Sequence, residues 1–204
     1  MFLRLQLKYF DKNIQKVINN AKKLNDYIKN NISFLKPQFI QDGYEHVYHF
    51  YRVQCLPEAL GLDNAGILRE VLTEILKKEG LSTRLYQEHP IYLQKIFNQV
   101  HQNTYPWAYN EQYIDLYKQN YSNASNPNAL DVINCSFALG GSGSAPHYLY
   151  SDKIINLYIK GLEKLKNNTD AIKQLYKEKK TYIAPYENDC VKLSDTKGVY
   201  KGEK

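Results

Sequence analysis

The chain has 204 residues, of which 43% are hydrophobic and 24% charged, the makeup of one soluble globular domain with room for an appendage. Lysine and arginine outnumber acids 27 to 21, giving +6, but nearly all of the excess is scattered lysine, which excludes a nucleic-acid footprint. No apolar run approaches a membrane span, which excludes the membrane as a partner.

Residues 3–30 read as one long amphipathic helix. Leu3, Leu7, Phe10, Ile14, Val17, Ile18, Ala21, Leu24 and Ile28 recur at helical spacing, with Lys, Gln and Asn between them. The N-terminal apolar residues are interrupted by charges, so they do not read as a secretory signal. Pro37 lies beyond the helix end.

The organising unit is residues 46–90, a strand, a helix and a strand. The first strand, 47–55, is aromatic and β-branched, with His46 and His49 placed on its opposite faces. The helix puts Ile67, Leu68, Val71, Leu72, Ile75 and Leu76 on one face. Asp63 or Asn64 caps its start, and Gly80 fits a left-handed residue at its end. The second strand, 82–86, leads to Gln87, Glu88, His89 and Pro90, and residues 91–98 form a short helix.

Residues 101–125 are rich in tyrosine and amides without a steady period. Trp107, Tyr109 and the neighbouring tyrosines either stack on a sugar or base or plug a small core. Residues 128–139 begin as a helical turn and become a strand. Gly140 to His147 follows as GGSGSAPH, which lacks the Gly-Lys-Ser/Thr of a phosphate-binding loop and reads as a flexible connection. Ser151 or Asp152 then opens a helix with Ile154, Ile155, Tyr158, Ile159, Leu162 and Leu165 on one face, broken at residues 167–169. A last helix spans 170–180, with the lysines of 173–180 on a solvated face, and the tail to residue 204 is polar and loosely ordered.

Candidate chemistry is sparse. Cys55, Cys135 and Cys190 are far apart and odd in number, which argues for free thiols in a reducing cytoplasm. The five histidines show no metal-ligand spacing, so no metal site is expected. Ser33 to Lys36 and Ser194 to Lys197 have Ser-x-x-Lys spacing that so many lysines produce by chance.

The stretches HVYHFYRV, LREVLTEILKKEGLSTRLYQEHPIYLQ and PHYLYSDKIINLYIKGLEKL, in that order, resemble the small domain of the DegT/StrS-type aminotransferases. Gln6, Leu7, Phe10 and Asp11 match the family's Q-L-x-x-(L/F)-D run on the long helix that joins its large and small domains. The resemblance covers residues 3–167. It implies a pyridoxal-phosphate enzyme of the type I fold acting on nucleotide-linked keto-sugars. It also implies that this chain starts where the large, cofactor-binding domain ends, so that the cofactor lysine, the acid at the pyridine nitrogen and the phosphate cup lie elsewhere. No residue of this chain is then catalytic or cofactor-binding. His89, Tyr86, His147, Trp107 and Tyr109 would face the substrate.

The expected fold is α+β, a small antiparallel or mixed sheet covered by helices, with the long helix leading in. Residues 1–167 form the small-domain-like region, with the helix at 3–30 and a core at 46–167, and residues 168–204 form the C-terminal helix and tail. Two functions stand: part of a sugar aminotransferase lacking its cofactor domain, or a binding module keeping that fold without chemistry. Either would assemble with itself or with a partner chain through the N-terminal helix.

Overall fold

The computed structural model describes residues 2–85, 88–93, 126–140, 151–179 and 181–187. These residues are α+β, with five α-helices and one four-stranded antiparallel sheet. Helix α1 spans Phe2–Asn31, followed by strand β1, Leu35–Pro37. Strand β2 is Tyr51–Cys55, helix α2 Ala65–Lys78 and strand β3 Thr83–Arg84. Helix α3, Pro127–Cys135, runs directly into strand β4, Ser136–Leu139. Helices α4, Asp152–Asn167, and α5, Thr169–Glu178, complete the set.

The strand order is β1-β2-β4-β3, so β4 inserts between strands that precede it in sequence. Val53 pairs with Pro37 on one side and Phe137 on the other, and Thr83 pairs with Leu139. One core joins Val17, Leu24 and Ile28 of α1 to Tyr51 and Val53 of β2, Leu68 and Leu72 of α2, Phe137 of β4, and Ile155 and Leu162 of α4. Each apolar face forms because its helix repeats nonpolar residues at the 3.6 period, and the sheet gives it something to cover. No described helix is long and apolar enough to cross a membrane.

Local signals explain the boundaries. The Asn64 side chain accepts from the Ile67 N–H at 3.0 Å and caps α2. Asp63 instead accepts from the Tyr176 hydroxyl of α5 at 2.6 Å. At the other end of α2 the Leu81 N–H donates to the Leu76 carbonyl at 2.9 Å and the Gly80 N–H to that of Lys77 at 3.0 Å. That pairing needs Gly80 at φ 77, a conformation glycine adopts without strain. Ser151 caps α4, which leaves Asp152 for Lys23 of α1 at 3.2 Å.

Several expectations change. Strand β2 starts at Tyr51, not at residue 47. Before it, Tyr48 takes φ 50, which no strand contains, and its N–H donates to Nδ1 of His46 at 2.8 Å. His46 and His49 therefore lie in a bend, not on two faces of a strand. Strand β1 was not foreseen, because three residues carry no readable alternation. Ile154 is exposed rather than on the core face of α4. The start of the tail, 181–187, is packed: Ala184 is buried, and the Tyr182 ring fills the space where Gly66 of α2 has no side chain. A Cβ at Gly66 would overlap that ring.

Candidate functional site

Two polar clusters interrupt the apolar packing. The first is closed. Asn25 of α1 donates through Nδ2 to the Tyr48 hydroxyl at 2.9 Å and accepts at Oδ1 from the Tyr51 hydroxyl at 2.7 Å. The two tyrosine rings stack with centroids 5.9 Å apart, and His46 lies against Tyr48 at 4.6 Å. Burial pushes both phenols up and holds the His46 imidazole below its usual range. Every polar atom of the Asn25 amide-phenol set has a partner, so this cluster pins α1 to the entry of β2 and offers nothing to a ligand.

The second cluster surrounds Arg69 of α2. Its Nη1 donates to the Ile133 carbonyl of α3 at 2.6 Å, and its Nη2 reaches the Tyr182 hydroxyl at 3.4 Å. Tyr182 donates to Oδ1 of Asn134 at 2.7 Å, and Nδ2 of Asn134 donates to the Tyr186 hydroxyl at 2.9 Å. Burial raises the Tyr182 phenol although Arg69 opposes the shift. Beside Arg69 opens a groove of about 350 Å³ between α2, β3 and the segment after α5. Glu70 and Glu74 line its helix side, where Lys179 meets them at 2.9 and 3.9 Å. Thr83, Arg84 and Glu88 line the strand side.

This groove lies at the mouth of the turn that carries His89. His89 is half-buried between β3 and the 3-10 turn Ile91–Leu93, ahead of a buried Pro90 that limits the turn's conformations. Its neighbour Glu88 is in the groove wall. Tyr86, Trp107, Tyr109 and His147 lie outside the described residues, so the structure brings none of the other expected substrate residues to His89. Arg69 was missed by the sequence reading. Its signal was available, because an arginine flanked by Leu68, Val71 and Leu72 on a core helix is a charge at risk of burial.

Nucleophilic and metal chemistry find no support among the described residues. Burial raises both the Cys55 and Cys135 thiols, the reverse of an activated cysteine. No group of three or more His, Cys, Asp and Glu could hold a metal ion among the described residues. Pyridoxal phosphate needs a sheltered lysine amine, an acid and phosphate donors at one place. The buried polar side chains of the described residues are Asn20, Asn25, Arg69, Thr83 and Ser136, with no lysine. Lys23, Lys78 and Lys164 pair with surface acids, and Lys179, 32% exposed in the Arg69 groove, is held by Glu70 and Glu74. The described residues therefore offer no buried, unpaired lysine to hold the cofactor.

No curated protein matches this chain. The model of the DegT/DnrJ/EryC1/StrS aminotransferase family matches residues 2–118, more than half of the sequence, from α1 through β3 and beyond. On that match, the chain belongs to the DegT/DnrJ/EryC1/StrS aminotransferase family.

Proposed function

We propose that these residues supply the small-domain part of a pyridoxal-phosphate-dependent aminotransferase of the type I fold, acting on nucleotide-linked keto-sugars. The cofactor lysine comes from a large domain, on the same polypeptide or on another chain. The carrying observation is the family match over residues 2–118 beside described residues among which no lysine is buried. In this reading His89, with Tyr86, Trp107, Tyr109 and His147, contacts the sugar nucleotide. The half-buried position of His89 between β3 and the 3-10 turn Ile91–Leu93 supports that role, since a held imidazole can donate to a ligand oxygen. The free thiols Cys55 and Cys135 suit a reducing cytoplasm.

A non-catalytic interaction module is the second reading. It is favoured by the first turns of α1, where Leu3, Leu7 and Phe10 stand exposed. In the first reading that face packs on the large domain, and in the second on another copy or a partner chain.

Incubation of the purified chain with the cofactor separates sheltered from unsheltered lysines. The expected result is no stoichiometric, borohydride-trappable adduct. A single lysine labelled to completion would overturn the division of labour. With the large domain supplied, His89→Ala should raise the keto-sugar KM while stability stays within about 1 kcal/mol of the parent. Unchanged kinetics with the large domain present would favour the module.

A further inference from the structure

Arg69 is 1% exposed, and a guanidinium taken out of water needs an anion or a full set of acceptors. It has neither. Two of its nitrogens reach a backbone carbonyl and a phenol, while Nε has no partner. Among the described residues no carboxylate forms an ion pair with it. The nearest acids in sequence, Glu70 and Glu74, are both engaged by Lys179. Thr83, 8% exposed, has the same deficit: its Oγ1 is buried without a partner. Arg69 comes from α2 and Thr83 from β3, yet both line the one groove.

We propose that this groove binds a small oxyanion, a carboxylate or a phosphate, which accepts hydrogen bonds from Arg69 Nε and Thr83 Oγ1 and faces the Lys77 ammonium. The chemistry follows from what is missing. A buried cation lacks a counter-ion, and the two residues that carry an unpaired buried N–H and an unpaired buried hydroxyl both line the one groove. The volume, about 350 Å³, is at the small end of ligand pockets and suits an ion with a short substituent. The lining cations are Arg69, Lys77, Arg84 and Lys179, and the lining acids Glu70, Glu74 and Glu88, an excess of one positive charge before a ligand enters. Glu88 is exposed, where water and salt screen its repulsion. The site does not depend on aminotransferase chemistry, since the cofactor takes no part in it.

Nitrogen-15 NMR of arginine Nε–H groups reads the site directly, because the chain has only Arg4, Arg52, Arg69 and Arg84. The full chain is titrated with inorganic phosphate and, separately, with succinate, at constant ionic strength against a chloride control. The expected result is a saturable shift of one Nε–H signal, identified by its loss in Arg69→Lys. Thr83→Val and Lys77→Ala should each weaken binding by about tenfold, the effect of one charge-assisted contact. Those two variants carry the test if Arg69→Lys fails to fold. Saturation by phosphate alone assigns a phosphate ligand, and by succinate alone a carboxylate. No saturable shift beyond chloride, or parental affinity in both Thr83→Val and Lys77→Ala, would overturn the proposal.

Discussion

Within α1, Leu3, Leu7 and Phe10 recur at the same helical spacing as Val17, Ala21, Leu24 and Ile28, but the first three are 74%, 69% and 55% exposed and the last four no more than 1%. The two halves differ in what lies beside them. The second half runs against β1 and α4 and holds Asp152 through Lys23, whereas no described element covers the first two turns. A hydrophobic period therefore reports that a helix has a face to cover. It does not report whether this chain does the covering.

The contrast is sharpest by truncation. Leu24→Ala should cost about 2–5 kcal/mol in denaturant unfolding, the range for a fully buried leucine. Leu7→Ala should stay within about 0.5 kcal/mol in the dilute chain and should instead reduce self-association in sedimentation at higher concentration. If Leu7→Ala costs as much as Leu24→Ala, the first turns are covered in solution and the halves are alike.

The buried half also carries the polar pin. Asn25→Ala leaves two phenols, Tyr48 and Tyr51, without their amide and should cost about 1–3 kcal/mol. A loss below that range would show that water replaces the amide, and that the cluster is less closed than its distances indicate.

The start of the C-terminal tail offers the reverse case, a polar stretch that is covered. Gly66→Ala places a methyl within the Tyr182 ring and should release residues 181–187 to proteolysis with a smaller change in global stability. Parental cleavage rates would mean that the segment repacks around the added methyl.

The smallest expected effect is electrostatic. Burial lowers the folded His46 pKa below the ordinary imidazole value of 6.5, so a neutral His46 contributes stability that is complete above 6.5 and is lost as pH falls through the folded value. Acid should loosen the bend at residues 46–48, and His46→Asn, whose amide oxygen can still accept from the Tyr48 N–H, should flatten that part of the pH profile. An unaltered profile would assign the acid sensitivity to other groups.

The long elements were legible because each repeats its signal. The α1 period, the α2 face with Asn64 and Gly80 at its ends, and the Ser151 cap all follow from local chemistry. The bend at Tyr48 was not legible, because HVYHFY has the composition of a strand and only the contacts with Asn25 and His46 favour a left-handed residue there. The same holds for β1, whose three residues become a strand only because β2 lies beside them. The groove was hidden for a related reason. Arg69, Thr83 and Lys179 are far apart in sequence, and their meeting depends on how α2, β3 and the chain after α5 pack. His89 was legible as a turn residue from the Pro90 that follows it, but its neighbours in space were not.

The insertion of β4 between β2 and β3 has a kinetic consequence. Among the described residues β3 pairs only with β4, and β2 reaches its second neighbour across a long stretch of intervening chain. Closing so large a loop costs entropy before any ladder bond repays it, so completion of the sheet should be a late step in folding. During synthesis, a nascent chain that ends near residue 118 holds the whole family-matched segment but only the β1–β2 pair of the sheet. Until residues 136–139 emerge, the open edge of β2 is a template for another chain, and a holdase would have its best target there.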